Sequence, residues 1–184
     1  MSGHSHWAGI KHKKELTDKK RGQIFSKMAK IIEIAARKGG DPETNPTLRL
    51  TIDKARSVNM PNDNVQRAIR KGAGEDKEGG HLEEITYEAY GPNGTPLIIE
   101  VITDNKNRTL SEIKHILNNH GGKLAESGGV RYLFDRIEGE WKPKYSINIT
   151  DQSIKSQLEK LFESLDENDD VNEIYSNVNP DTLS

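Results

Sequence analysis

Residues 3–40 of this 184-residue chain, GHSHWAGIKHKKELTDKKRGQIFSKMAKIIEIAARKGG, combine positive charge, histidine and one tryptophan. Residues 1–40 hold ten Lys and Arg against three Asp and Glu, a net charge of +7. The whole chain carries −2, so residues 41–184 carry −9. This division of charge predicts that the N-terminal part meets a polyanion while the remainder keeps the molecule soluble.

An amphipathic helix is predicted from about Leu16 to the glycine pair at 39–40, which supplies a stop signal. Its apolar residues recur at helical spacing: Ile24, Met28, Ile31 and Ala35. The opposite face is basic and carries Lys19, Lys20, Lys27, Lys30 and Arg37. Residues 1–15 lack helical periodicity and are predicted to form a flexible basic arm.

Two shorter helices are predicted after the first, one from about Pro46 to Val58 and one that ends at Gly72. Their apolar residues also share faces: Leu48, Ile52, Ala55 and Val58 in one, and Val65, Ala68 and Ile69 in the other. The three helices predict a nucleic-acid-binding helical domain over residues 16–78. Pro61 stands in the turn where a helix-turn-helix motif more usually has glycine, so that motif is not predicted.

Strand and helix signals alternate after the glycine-rich segment 72–80, predicting an α/β domain over residues 79–178 and a tail at 179–184. A β-hairpin is predicted between residues 83–90 and 97–102, and the capping-box pattern TLSE at 109–112 predicts a helix start. Further strands are predicted at 129–134, 144–149 and 171–178. A last helix carries Ile154, Leu158, Leu161 and Leu165.

This order of elements predicts an α+β fold: a three-helix N-terminal domain with a basic arm, followed by an α/β sandwich of ferredoxin-like character. The strand order stays open. The predicted hairpin would occupy the edge of the first strand that the final strand takes in the ferredoxin-like topology.

Composition argues against several classes of protein. Without cysteine there is no disulfide framework, thiolate nucleophile or Cys-ligated zinc. The sequence shows no bilayer-spanning apolar run and no signal peptide, which predicts a cytoplasmic protein without a membrane partner. It also shows no phosphate-binding glycine loop, nucleophile elbow or HExxH motif, so neither enzymatic activity nor a cofactor or small-molecule substrate is predicted.

Phosphate neutralisation is the chemistry that the basic region favours, because ammonium and guanidinium groups displace condensed counterions. Trp7 and the neighbouring imidazoles can stack on unpaired bases, which RNA offers more readily than duplex DNA. The predicted nucleic-acid-binding residues are His4, His6, Trp7, Lys11, His12, Lys13, Lys14, Lys19, Lys20, Arg21, Lys27, Lys30 and Arg37. A solubilising tail and a solvated helix face would explain the charge alone, but not the tryptophan within it.

Two other groups of polar residues have alternative interpretations. Asp104, Asn105, Asn107 and Arg108 follow the most apolar strand and form a candidate partner loop, although an Asx-rich turn with a helix cap explains them equally well. A copper or nickel site at Ser2-Gly3-His4 and a divalent-cation site in the acidic run 166–170 are weaker interpretations. No metal site is predicted.

Specific sequence blocks occur in order along most of the chain: GHSHWAGIKHKK from Gly3, KRGQIFSKMAKIIEIAARKGGDPETNPTLRLTIDKARSVNMPNDNVQRAIRKG from Lys20, YEAYGP from Tyr87, TDNKNRTLSEIKH from Thr103, HGGKLAESGGVRYLFDR from His120 and DDVNEIYSNV from Asp169. They closely resemble the YebC/PmpR family, which includes the mitochondrial translational activator of cytochrome oxidase. The resemblance implies a helical domain followed by α/β domains, without catalysis. It also implies either a DNA-binding transcriptional regulator or a ribosome-associated factor that helps translation, including at proline-rich stretches.

Two departures from the family pattern are evident. Members usually carry another α/β domain between the segment FDR, here 134–136, and the final helix, whereas this chain continues almost directly to YSINIT at 145–150. That domain is expected to be absent, which puts any partner that binds through it in doubt. His6 and Asn62 stand where lysine is more usual, which slightly weakens the basic surface.

The sequence therefore predicts a non-enzymatic regulator of gene expression that binds nucleic acid, either DNA or ribosomal RNA, with the ribosome as a candidate partner. The family's customary description favours DNA. Physical reasoning slightly favours RNA, because ribosome binding needs only shape and charge and no base-edge readers are evident. The alternative is a protein-interaction adaptor that uses the acidic α/β domain.

Overall fold

The computed structural model describes residues 17–76 and 81–183. They form two compact units, a helical unit that ends at Glu83, the first residue of the first strand, and an α/β unit that begins at Glu84. The fold class predicted from the sequence is confirmed, since helices precede a mixed α/β region. The predicted basic arm at 1–15 and the predicted domain boundary between 78 and 79 lie outside the described residues.

The helical unit contains three helices: α1 at Asp18–Ala36, α2 at Pro46–Ser57 and α3 at Asn62–Gly72. Both α2 and α3 pack against α1. Most of their predicted apolar residues meet in one core, which includes Ile32, Ala35, Ala36, Leu48, Ile52, Ala55, Met60, Val65, Ala68 and Ile69. Three predicted residues do not belong to it: Ile24 and Ile31 are half-buried, and Val58 is exposed because α2 ends at Ser57. The helical periodicity of the sequence therefore identifies the core of this unit.

Asn45 ties the end of α1 to the start of α2. Its buried side-chain amide donates hydrogen bonds to the carbonyl oxygens of Ala35 and Gly39, both at 2.8 Å. Its Oδ1 accepts a hydrogen bond from the Leu48 N–H at 3.1 Å, which makes it the N-cap of α2. One side chain thus satisfies polar groups at two helix ends that would otherwise be buried without partners.

Gly72 allows α3 to approach α1 closely. A Cβ atom at this position would stand 2.2 Å from the carbonyl oxygen of Glu33 and 2.8 Å from the Cβ of Ala36. In the preceding position, Lys71 Nζ lies 3.2 Å from Glu33 Oε2, so the nearly buried carboxylate of Glu33 has a cationic partner. The crossing therefore depends on a residue without a side chain.

The α/β unit contains eight helices and strands, which are β1 (Glu83–Tyr90), β2 (Pro96–Thr103), α4 (Lys106–Asn119), β3 (Lys123–Leu124), β4 (Phe134–Ile137), β5 (Glu140–Pro143), α5 (Gln152–Asp166) and β6 (Val171–Ser176). Four strands form a sheet in the order β3-β1-β2-β6, and β4 and β5 form a separate two-stranded sheet. The predicted β1–β2 hairpin is confirmed. The final strand pairs with the other side of β2, which settles the strand order that the sequence left open.

Strand β2 is covered on both of its faces. Leu97, Ile99 and Val101 pack in the main core, with apolar residues of α4 and α5. Ile98, which points to the opposite face, packs with Val130, Phe134 and Tyr175 in a second cluster on the side of β4 and β5. The nearly continuous apolar run of this strand follows from burial on two sides.

The β4–β5 hairpin was not predicted from the sequence. Its strands pair in antiparallel register from Phe134 opposite Pro143 to Ile137 opposite Glu140. The turn residues Glu138 and Gly139 have φ values of 51° and 85°. Positive φ at both positions matches the right-handed twist of a two-residue hairpin turn.

The buried carboxylate of Glu88 on β1 organises the loop before this hairpin. It accepts hydrogen bonds from the N–H groups of Gly128 (2.8 Å), Val130 (2.9 Å) and Arg131 (2.7 Å). Burial alone raises the pKa of Glu88, but these donors and the Arg131 charge outweigh it, so its pKa is lowered. The strand predicted at 129–134 is therefore wrong. Backbone N–H groups of this segment donate to Glu88, and Arg131–Leu133 forms a short 3-10 helix.

The predictions for 144–149 and 179–184 also need correction. Residues 144–149 form no strand, and only an isolated bridge joins Ile147 to Val178. The strand lies just before them, since residues 140–143 pair with β4 as β5. Residues 179–183 are not a free tail. Leu183 is buried in the main core, and Thr182 Oγ1 accepts a hydrogen bond from the Ile149 N–H at 3.4 Å.

We expect Gly72→Ala to lower the free energy of unfolding by about 1–3 kcal/mol, because the added methyl group meets rigid backbone of α1. Gly22→Ala is the matched control, since it also adds a methyl group within a helix but has no atom within 4 Å of the new Cβ. That control should stabilise by up to about 1 kcal/mol through helix propensity. Urea unfolding measures both changes. A stabilising Gly72→Ala would contradict the close crossing of α1 and α3.

Glu88 should make the stability of the α/β unit depend on acid pH. Because its folded-state pKa lies below the ordinary value of 4.5, the stabilisation is fully present above about pH 4.5 and is lost as pH falls through the folded pKa. Glu88→Gln should cost about 3 kcal/mol at neutral pH, and its deficit relative to the wild type should shrink as the pH is lowered. Glu84→Gln, on the exposed part of β1, is the control. A deficit for Glu88→Gln that does not change with pH would refute the assignment.

Candidate nucleic-acid interface

The side of α1 that faces away from the core is basic. Since an α-helix turns by about 100° per residue, six cations of α1 and its C-terminal end fall within an arc of roughly 100° opposite Ile32. They are Lys19, Lys20, Lys27, Lys30, Arg37 and Lys38. We call this set the basic face. Phe25, Met28, Ile32 and Ala35 of α1 face the core of the unit, whereas the half-buried Ile34 lies among the cations of the basic face.

The cations of the basic face differ in exposure. Lys19, Arg37 and Lys38 are exposed, whereas Lys20, Lys27 and Lys30 are half-buried. Half-burial suits lysine, whose aliphatic stem can lie on apolar surface while the ammonium group reaches solvent. The exposed cations therefore stand towards the two ends of α1.

Arg21 is separated from the other predicted binding residues of α1. It projects on the side of Met28, and its guanidinium lies 3.7 Å from the carboxylate of Asp18. The other predicted nucleic-acid-binding residues lie outside the described residues: His4, His6, Trp7, Lys11, His12, Lys13 and Lys14. Their contribution stays a prediction.

The prediction from sequence omitted several cations of the helical unit. Lys38 lies eleven residues after Lys27, about three helical turns, and so falls on the basic face. Exposed cations also occur on the outer sides of α2 and α3: Arg49, Lys54, Arg56, Arg67 and Arg70. These cations could have been found from the sequence, because the apolar periodicity of the two helices shows which of their residues face outwards.

The helical unit is basic overall. Residues 17–76 contain thirteen Lys and Arg against eight Asp and Glu, a net charge of +5. Glu33, the acidic residue in the last turn of α1, is nearly buried and paired with Lys71. It therefore subtracts little from the field of the basic face. By contrast, residues 81–183 contain ten Lys and Arg against nineteen Asp and Glu, a net charge of −9.

The candidate partner loop holds the start of α4 in place. Asn105 Oδ1 accepts a hydrogen bond from the Arg108 N–H at 3.1 Å and is the N-cap of the helix. The Arg108 guanidinium donates to Asp104 and to the buried Asp170, both at 2.9 Å, and these contacts raise its pKa. Asn107 is exposed. A partner role for this loop stays a prediction, beside the structural role that these contacts show.

Thr109 is not an N-cap, so the capping box predicted at 109–112 is wrong. The residue lies inside α4 and is buried, and its hydroxyl donates to Asp170 Oδ2 at 2.6 Å. Thr103 Oγ1 also bonds Asp170 Oδ2, at 3.1 Å. Asp170, a member of the acidic run at 166–170, is therefore a buried link between the end of β2, the start of α4 and the residue before β6.

Within 17–76 and 81–183, no three His, Asp or Glu side chains are grouped so that they could hold a metal ion. No helix in this part of the chain is long and apolar enough to cross a membrane.

Comparisons with known proteins agree with the architecture. The model of the TACO1/YebC protein N-terminal domain matches residues 5–75, and that of the TACO1/YebC second and third domain matches residues 82–138. The chain belongs to the TACO1/YebC family. A crystal structure of a conserved hypothetical protein, Aq1575, from Aquifex aeolicus superposes with a TM-score of 0.83 at 35% identity, covering 95% of this chain and 97% of that one.

Several TACO1/YebC relatives are named probable transcriptional regulatory proteins. The one from Petrotoga mobilis is 50% identical over 96% of this chain and 70% of its own length. The one from Thermoanaerobacter pseudethanolicus is 56% identical over 74% of this chain, and the matched stretch spans 56% of that relative. This chain thus corresponds to part of the length of these relatives.

A longer alignment shows that one TACO1/YebC relative has more residues than this chain. The Halothermothrix orenii relative is 38% identical over 247 aligned positions, which include all of this chain and 97% of the relative. Because this chain has 184 residues, the relative contains residues that this chain lacks. The match to the second and third domain ends at residue 138, in the turn between β4 and β5.

Proposed function

We propose that this chain is a non-enzymatic, nucleic-acid-binding regulator of gene expression, and that the basic face of α1 contacts the phosphates. The observation that carries the proposal is the arrangement of six cations along the side of α1 away from its core. The names of the TACO1/YebC relatives support the regulatory part of the proposal.

The dimensions of the basic face suit a nucleic-acid backbone. Lys19 and Lys38 lie about 28 Å apart along the helix axis at 1.5 Å per residue. Along a duplex strand this distance corresponds to about eight nucleotides at 3.4 Å each. Each phosphate that a cation neutralises releases condensed counterions, so binding should weaken steeply with salt.

Among polyanions we place ribosomal RNA before DNA. Recognition by lysines on a helix face depends on shape and charge, since phosphate contacts position a protein but carry no sequence information directly. Structured RNA is recognised largely in that way. The acidic α/β unit would repel a polyanion, whereas the basic helical unit would attract it.

Charge neutralisation on the basic face tests the proposal. We expect Lys19→Gln, Lys20→Gln, Arg37→Gln and Lys38→Gln together to lower the affinity for RNA and DNA by at least about tenfold at low salt. They should also reduce the slope of log K against log salt by up to about three, close to one unit for each lost phosphate contact. Filter binding over a salt series measures both.

The matched control places the same loss of charge in the α/β unit, at Lys106, Lys114, Lys123 and Lys160, each changed to Gln. These lysines are exposed, so the two variants have equal net charge and differ in where it was lost. Equal loss of affinity in both variants, or none in the first, would contradict a role for the basic face.

Sedimentation of a cell lysate through a sucrose gradient distinguishes the two targets. Ribosomal RNA as target predicts that the protein moves with ribosomes at low salt and is released at high salt or by RNase. Migration at the top of the gradient, with association to chromosomal DNA that is sensitive to DNase, would instead identify a regulator of transcription.

A further inference from the structure

Two highly exposed tyrosines stand at the base of the β4–β5 hairpin. Tyr132 is 65% exposed and Tyr145 is 76% exposed. The Lys144 N–H donates a hydrogen bond to Leu133 O at 2.9 Å, which extends the pairing of the hairpin by one residue pair. Tyr132 and Tyr145 follow next on the two sides of this pair, Tyr132 in the 3-10 helix Arg131–Leu133 and Tyr145 just after the end of β5.

A cation precedes each tyrosine in the sequence. Arg131 precedes Tyr132 and Lys144 precedes Tyr145, with side chains that are 46% and 43% exposed. Each cation also approaches one carboxylate: Arg131 Nε lies 3.6 Å from Glu88 Oε1, and Lys144 Nζ lies 3.7 Å from Asp135 Oδ1. A guanidinium has five N–H donors and an ammonium group has three, so one such contact does not exhaust either of them.

The hairpin region is less acidic than the α/β unit as a whole. Residues 131–145 contain four Lys and Arg against three Asp and Glu, a net charge of +1, whereas residues 81–183 as a whole carry −9. Four of the ten cations of this unit therefore fall within one short segment. A polyanion that reaches the α/β unit therefore meets weaker repulsion here than the net charge of the whole unit would give.

Contacts with the sheet hold the hairpin in one position. Phe134 is buried, and the Trp141 indole N–H donates a hydrogen bond to Glu100 Oε1 at 2.9 Å. The Arg136 guanidinium bonds the same carboxylate and lies over the Trp141 ring, 4.8 Å from its centroid. Because the strands are anchored in this way, the backbone that carries the two tyrosines needs little ordering when a ligand binds.

We propose that Tyr132 and Tyr145 form a stacking platform for unpaired nucleotides, with Arg131 and Lys144 contacting the adjacent phosphates. Exposed aromatic rings interleaved with cations are the combination that binds single-stranded nucleic acid, because every base has a face on which a ring can stack. The inference rests on the proposed function, since both require a nucleic-acid target. It adds a second contact, specific for unpaired bases, to the phosphate contact of the basic face.

An RNA hairpin with an unpaired tail, and the same RNA hairpin without the tail, test the proposal with the full chain. We expect the tail to raise the affinity of the wild type by on the order of tenfold for each stacked base. The double variant Tyr132→Ala/Tyr145→Ala should lose the increase in affinity that the tail gives, and its affinity for the tailless RNA should be unchanged. Tyr132→Phe with Tyr145→Phe should retain the gain, because stacking requires the ring and not the hydroxyl group.

The outcomes separate this inference from the proposed function. Binding of both RNAs by the wild type without any gain from the tail would overturn the platform and leave the basic face intact. A tail-dependent gain that survives in the alanine variant would also overturn it, as would equal losses in the alanine and phenylalanine variants. Failure of the wild type to bind either RNA or duplex DNA would overturn both proposals. Urea unfolding of each variant checks that the fold is retained.

Discussion

Strand β2 cannot be exposed to water on either face, and much of the α/β unit follows from that constraint. Leu97, Ile99 and Val101 require a cover on one side, which the helices α4 and α5 provide. Ile98 requires a cover on the other side, where Val130 and Phe134 pack. The β4–β5 hairpin is therefore a third layer that the sheet needs, and the contacts that close it also determine where Tyr132 and Tyr145 stand.

In the helical unit, small and polar residues determine how the helices pack. Gly72 permits the close crossing of α3 over α1, and Asn45 closes the end of α1 against the start of α2. Because these contacts lie on the inner side of α1, its outer side does not have to contribute to the core. Lysines there cost the fold little, which is the physical reason why a short helical unit can be both stable and strongly basic.

The parts of the fold that the sequence predicted are those that local patterns determine. The three N-terminal helices and the β1–β2 hairpin follow from periodicity and turn residues close in the chain. The strand predicted at 129–134 failed because Glu88, about forty residues earlier, binds that backbone. Thr109 fitted a capping pattern, but the buried Asp170 is its partner and Asn105 caps the helix. Distant carboxylates of this kind leave no periodic signal in the sequence.

For the candidate site, the sequence identified the basic face through helical spacing, although Arg21 was included and Lys38 was not. The tyrosines of the hairpin were not singled out, since their exposure depends on how β4 and β5 pack on the sheet. Local composition predicts charge well. Local composition does not predict which aromatic residues are exposed to solvent in the folded protein.

The turn at Glu138 and Gly139 brings the two ends of the β4–β5 hairpin loop close together. Ile137 and Glu140 are paired across the hairpin, so the chain leaves and re-enters β4 and β5 at nearly the same point. A folded module whose own ends lie close together can be joined at such a point, or removed from it, without moving the strands on either side. A longer insertion at this turn would therefore leave the core of the α/β unit undisturbed.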